Sequence, residues 1–139
     1  MRKYKLENRI KRFQQYLDEL LPYAALADDE LLNQKSKEKL YAAERLFQLL
    51  VDEAIDINTE LLQSKGDTVP ENYYGTFSGL PGIGVLEGSF ANKLAGSVQV
   101  RNHIVHEYED MKPPEVVRRI KQYTEMYKEY IKTIIDKML

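Results

Sequence analysis

The chain has 139 residues and no cysteine, which excludes a disulfide framework, a thiolate metal site and a cysteine nucleophile. Hydrophobic residues make up 43% and charged residues 30%, the balance of one globular domain that buries its own core without covalent staples. Twenty basic against twenty-two acidic residues create no global positive field that would by itself point to nucleic acid. No apolar run approaches the length of a membrane span, and the N-terminal MRKYKLENRIKRF lacks the apolar core of a signal peptide. The expectation is a single domain over residues 1–139, soluble and cytoplasmic, with no membrane partner.

Glycine and proline draw the map. All seven glycines lie between Gly66 and Gly96, and the first 65 residues hold one proline, Pro22. That stretch reads as helical. Ile10, Phe13, Leu17, Leu20 and Ala24 step by three or four residues with charges between them, an amphipathic helix that Pro22 should kink or close. Asp28, Asp29 and Glu30 suit a new helix N-terminus, where carboxylates meet the positive dipole end. The second helix is predicted to be long, burying Leu40, Ala43, Phe47, Leu50, Ala54, Ile57 and Leu61, with Gly66 as its left-handed cap.

Residues 66–84 predict short helices and turns around Tyr73, Tyr74, Gly75 and the segment Gly79–Gly84. A further apolar pattern runs through Leu86, Phe90, Leu94, Val98 and Val105, interrupted by Gly96. The last helix opens at Pro113, Pro114 and Glu115, with proline at its preferred first position. Its stripe is Val116, Ile120, Tyr123, Tyr127, Ile131, Ile134 and Met138. No alternating strand pattern, repeat or low-complexity tract is present. The fold class is all-α, an antiparallel bundle of four to five helices. Residues 112–139 carry seven basic and four acidic residues, which reads as a solvated helix face.

The two histidines, His103 and His106, fall in one segment, Arg101-Asn-His-Ile-Val-His-Glu-Tyr108. No phosphate-cradling loop or serine elbow accompanies it. On a straight helix, Arg101 and Tyr108 share a face, while Arg101 and His106 point about 140° apart. Three readings stay open. A metal could sit on His103, His106 and Asp110, but the spacing lacks a fourth ligand. Alternatively, Arg101 and His106 are a minimal kit for phosphodiester chemistry. Arginine offers a charged planar fork to phosphate, histidine moves protons near neutral pH, and RNA brings its own 2′-hydroxyl nucleophile. The third reading is structural, with Asn102 and His103 capping or pairing and Arg101 bridging to Glu107 or Asp110.

Arg101, four intervening residues, His106, one residue and Tyr108 make the pattern Arg-x4-His-x-Tyr. It resembles the signature of the HepT family of toxins, within the HEPN (higher eukaryote and prokaryote nucleotide-binding) superfamily. Asn102 matches the polar residue that usually follows the arginine. Glu44 to Asn58 is similar to the family's long second helix, and Tyr73 to Phe77 and Leu94 to Val100 to the approach to the motif.

The resemblance implies a HEPN-type helical bundle, usually a homodimer whose two motifs meet in one cleft. It implies a metal-independent endoribonuclease, with RNA as substrate and no cofactor or metal. It also implies a partner, a minimal nucleotidyltransferase antitoxin that transfers AMP to the motif tyrosine and shuts the site. Carried over, Arg101 would hold the scissile phosphate, His106 would be the general acid/base, Asn102 would orient the phosphate or the histidine, and Tyr108 would be the AMPylation target. Tyr73 and Tyr74 are candidates for cleft lining. His103 departs from the basic or apolar residue expected in relatives. It reads as solvent-facing, with cleft lining as the alternative. Glu107 reads as surface charge, and Tyr123 and Tyr127 as packing. The alternative functions are a non-catalytic helical dimer that binds a nucleotidyltransferase or a nucleotide, and a structural bundle.

Overall fold

A computed structural model describes residues 2–106 and 111–138. The elements are α1 (Arg2–Ala24), α2 (Asp28–Leu31), α3 (Glu38–Ser64), α4 (Tyr73–Ser78), a 3-10 turn (Leu80–Ile83), α5 (Gly88–Ala95), α6 (Ser97–His106) and α7 (Pro113–Met138). The described residues are all-helical. Five helices, α1, α3, α5, α6 and α7, make the bundle, while α2, α4 and the 3-10 turn shape its connections. None is long and apolar enough to cross a membrane.

The antiparallel arrangement follows from who meets whom. Arg9 in the first half of α1 reaches Asp56 in the second half of α3, at 3.1 Å. Phe13 of α1 packs on Tyr127 and Tyr130 of α7, whereas Leu26, beyond the end of α1, accepts from Lys121 Nζ nearer the start of α7. The apolar stripes read from the sequence are the ones buried: Phe13, Leu20, Phe47, Leu50, Ala54, Ile57, Leu61, Ile120 and Ile134 all sit in one core. Gly66 takes φ +71°. The Gly66 N–H bonds the Gln63 carbonyl and the Asp67 N–H the Leu62 carbonyl, so the orphan carbonyls of α3 are satisfied by a left-handed cap.

Two expectations are corrected. The helix begun at Asp28 is not continuous with α3, because it stops at Leu31. Residues 33–37 (Asn-Gln-Lys-Ser-Lys) offer no apolar side chain to bury, and Asn33 Oδ1 accepts the Lys35 N–H at 2.9 Å, a local bond that competes with helix. Val105 fits the apolar stripe by spacing but is exposed, on the face of α6 that borders a groove.

The centre of the core is aromatic. Phe13, Phe77, Tyr127 and Tyr130 meet at centroid distances of 5.5 to 6.4 Å, each pair adding about 1 kcal/mol beyond the area it buries. The two phenols are fully buried and burial pushes both well above the usual tyrosine range, so they stay neutral and need partners. Tyr127 OH lies 2.6 Å from Ser97 Oγ. Since Ser97 Oγ also donates to the Leu94 carbonyl at 2.7 Å, its single hydrogen is committed and Tyr127 donates. Tyr130 OH donates to Asn58 Oδ1 at 2.6 Å. These bonds tie α7 to the first residue of α6 and to α3. At the joint between α5 and α6, a Cβ on Gly96 would collide with Tyr123 OH, so glycine lets α7 approach the point from which α6 departs.

One carboxyl group lies among the buried side chains of α3. Glu53 of α3 is buried, with Arg9 Nη1 at 3.7 Å from Oε1 and Arg12 Nη1 at 3.9 Å from Oε2, both beyond hydrogen-bonding distance. Burial raises its carboxyl above the usual carboxylate range, assisted by Asp56, and outweighs the downward pull of Arg12 and Arg9. A carboxyl raised in the folded state binds its proton more tightly there, so its contribution to stability falls as pH rises through the carboxylate range. Glu53→Gln is therefore expected to raise unfolding free energy at pH 7.5 by up to about 1 kcal/mol. The gain should vanish near pH 4, where both side chains are neutral. Urea melts at the two pH values check it, and a less stable variant at pH 7.5 would show that the arginines outweigh burial.

Candidate active site

The motif helix α6 presents one face to an open groove. Val98, Arg101, Asn102, Val105 and His106 line it from α6, and Glu71, Asn72, Tyr73 and Tyr74 from the start of α4, around a cavity of about 490 Å³. The spacing 98, 101, 102, 105, 106 is that of one helical face. Arg101 and His106 stand at its two edges, about 140° apart. They flank the groove instead of converging from one line, so a ligand lying along the face meets both.

The groove wall is built from below. Asn72 Oδ1 accepts the Gly75 N–H at 2.7 Å, capping α4 at its first turn. Thr76 Oγ1 donates to the Tyr73 carbonyl at 2.7 Å and receives a long bond of 3.5 Å from Asn58 Nδ2. Asn58 is the residue that Tyr130 grips. The two core phenols thus anchor both walls, Tyr127 through Ser97 at the start of α6 and Tyr130 through Asn58 to α4.

Arg101 is held by three neighbours. Its side chain is 14% exposed, and its Nε donates to Asp52 Oδ1 of α3 at 2.7 Å. Its Nη1 donates to Asn102 Oδ1 at 3.2 Å. Its guanidinium carbon lies 5.3 Å from the centre of the Tyr73 ring, a cation–π contact. Asp52, Ile55, Asp56, Tyr73 and Arg101 also border a second concavity of about 270 Å³, so Arg101 and Tyr73 form the partition between the two.

Of the residues singled out in the sequence, Arg101, Asn102, His106, Tyr73 and Tyr74 come together. Tyr73 and Tyr74 are 46% and 39% exposed, while Tyr123 and Tyr127 are in the core. His103 is half-buried and is not among the groove-lining residues. Tyr108, Glu107 and Asp110 lie outside the described residues. The residue that sequence reading missed is Asp52. It sits in the segment Glu44 to Asn58, but its partner is 49 residues away, and beside Glu53 and Asp56 nothing in the sequence sets it apart.

The described residues thus form an all-helical bundle with arginine, asparagine and histidine along one open groove. The family model described as ribonuclease HepT-like matches residues 8–134, and the chain belongs to that family. It is 31% identical over 129 residues to a protein named tRNA nuclease HepT from Aphanizomenon flos-aquae, covering 93% of this chain and 86% of the relative. A solved structure of a tri-AMPylated Shewanella oneidensis HEPN toxin in complex with MNT antitoxin superposes with a TM-score of 0.83 at 17% identity, over 95% of this chain and 97% of that one, which shows the shared fold.

Proposed function

We propose that this chain is a metal-independent endoribonuclease toxin of a two-component system, and that the groove along α6 is its active site. The observation that carries the proposal is that Arg101, Asn102 and His106, the motif residues inside the described chain, line one concave surface with two exposed tyrosines. The relative named tRNA nuclease HepT supports RNA, and tRNA in particular, as the substrate class.

The chemistry needs little beyond these residues. The substrate's 2′-hydroxyl attacks the adjacent phosphorus, the bond to the 5′-oxygen breaks, and the products are a 2′,3′-cyclic phosphate and a 5′-hydroxyl. One proton leaves the nucleophile and one reaches the departing oxygen. His106 moves protons as general acid/base, Arg101 stabilises the charge that develops on the phosphoryl oxygens, and Asn102 orients Arg101. Tyr73 and Tyr74 offer faces on which bases stack. Because the nucleophile belongs to the substrate and the charge is met by a guanidinium, the chain's own residues account for each role without a metal.

A homodimer extends the reading. Exposed Val105 puts an apolar side chain on the groove rim, and a second copy there would bring a second Arg101 and His106 to the phosphates. The antitoxin would be a minimal nucleotidyltransferase that moves AMP from ATP to the Tyr108 phenol, releasing pyrophosphate. Two residues from His106, the added phosphodiester would compete with RNA for Arg101. The system would act on RNA in the cytoplasm.

The test is incubation of the purified chain with defined tRNAs in EDTA, with product ends and intact mass read together. New 2′,3′-cyclic phosphate ends bear the proposal out. No cleavage by protein with unmodified Tyr108 contradicts it. One observation favours a second reading, a non-catalytic module that binds a nucleotidyltransferase: Arg101 is already paired with Asp52 and only 14% exposed. Inert protein that forms a stable complex with such an enzyme would select it.

A further inference from the structure

We propose that Asp52 is a positioning residue for the phosphate-binding arginine, setting its orientation from a different helix; the inference rests on the ribonuclease reading of the groove. A guanidinium is planar, and orienting it takes constraints within its plane and across it. Asp52 Oδ1 on Nε at 2.7 Å and Asn102 Oδ1 on Nη1 at 3.2 Å act in the plane. The Tyr73 ring, 5.3 Å from the guanidinium carbon, acts across it. Asn102 is the neighbouring residue on the same helix and moves with Arg101, so Asp52 is the in-plane tether anchored elsewhere. It stands on α3, next to Val51 and about one turn from Ile55, both buried, on the helix whose Asn58 is bonded to Tyr130 and Thr76. By engaging Nε, Asp52 leaves Nη2 and the Nη1 hydrogen not given to Asn102 as the donors that meet a phosphate.

The placement has a signature that a merely structural ion pair lacks. Asp52 carries a negative charge beside a cation meant for phosphate. Removing it leaves the cation in the groove, so substrate affinity should hold or improve. The transition state loses a correctly aimed fork, so the chemical step should slow. Misplacement of a catalytic group by about 1 Å costs on the order of 100-fold.

Asp52→Ala is therefore expected to lower single-turnover kcat about 100-fold with KM unchanged or reduced. Asp52→Asn keeps an oxygen acceptor for Nε and is expected to recover kcat to within about tenfold of wild type. In both, the Arg101 Nε–H resonance is followed by 15N NMR. It should be protected from exchange in wild type and in Asp52→Asn, and fast-exchanging in Asp52→Ala. If Asp52→Ala cuts RNA with wild-type kcat per folded molecule, or with a higher kcat, the proposal is overturned, and in the latter case Asp52 is an internal competitor. If Ala and Asn variants fall equally, the tether is not what matters and the proposal also fails. If wild type itself cuts nothing, the ribonuclease reading fails separately, and the NMR still decides the tether: a fast-exchanging Arg101 Nε–H in wild type overturns it, a protected one lost in Asp52→Ala upholds it.

Discussion

Arg101→Lys is expected to reduce RNA cleavage by about 10²–10³-fold, the loss typical of removing one donor that stabilises developing charge. The charge is kept, so the size of the effect measures geometry. Arginine donates from Nε to Asp52 and from Nη1 to Asn102, and in the proposed reaction its planar fork would meet the phosphate as well. Lysine has one nitrogen and cannot hold the carboxylate and grip the substrate at fixed angles together. An ammonium drawn to Asp52 would be drawn away from RNA. Stability should change by less than about 1 kcal/mol, because the ion pair is partly solvated on the Asp52 side. Single-turnover cleavage alongside a thermal melt checks both halves. Near-wild-type cutting by Arg101→Lys would mean that only charge is required there.

His106→Ala is expected to cost about 10²–10⁴-fold in rate, the usual contribution of general acid–base catalysis. It should leave the fold intact, since His106 is exposed at the rim of the groove. His103 supplies the contrast. It shares the helix but lies outside the groove lining, so an exchange of the two histidines' effects would refute the placement of the active site. Substrate binding should survive the loss of His106, because Arg101 and the two tyrosines remain. A variant that binds an uncleavable 2′-deoxy oligonucleotide like wild type but does not cut RNA separates proton transfer from affinity. A fully active His106→Ala would remove the imidazole from the mechanism.

The helices were legible because burial imposes a period. In α1, α3 and α7 the apolar residues recur every three or four positions, and those stripes are the core. The stop at Leu31 was not, because it depends on a run of polar residues and on one Asn33 side-chain bond. Val105 matched the apolar pattern of α6 yet faces the groove, since a helix that lines a site breaks its own burial rule there. Gly66, Gly84 and Gly96 announced turns and a joint, and with them the irregular segment that carries Tyr73 and Tyr74. The motif gave Arg101, Asn102 and His106 as neighbours in sequence. What orients Arg101 was illegible, because Asp52 comes from another helix and nothing local to either residue marks the pairing.

The most direct measurement is cleavage of one 5′-labelled tRNA in EDTA by wild type, Arg101→Lys and His106→Ala, with folding verified for each and Tyr108 shown by intact mass to be unmodified. Wild type should generate a discrete product ending in a 2′,3′-cyclic phosphate, and both variants should fail by at least about 100-fold. Equal cutting by all three proteins, or none by unmodified wild type, would contradict the assignment of the α6 groove as a ribonuclease site.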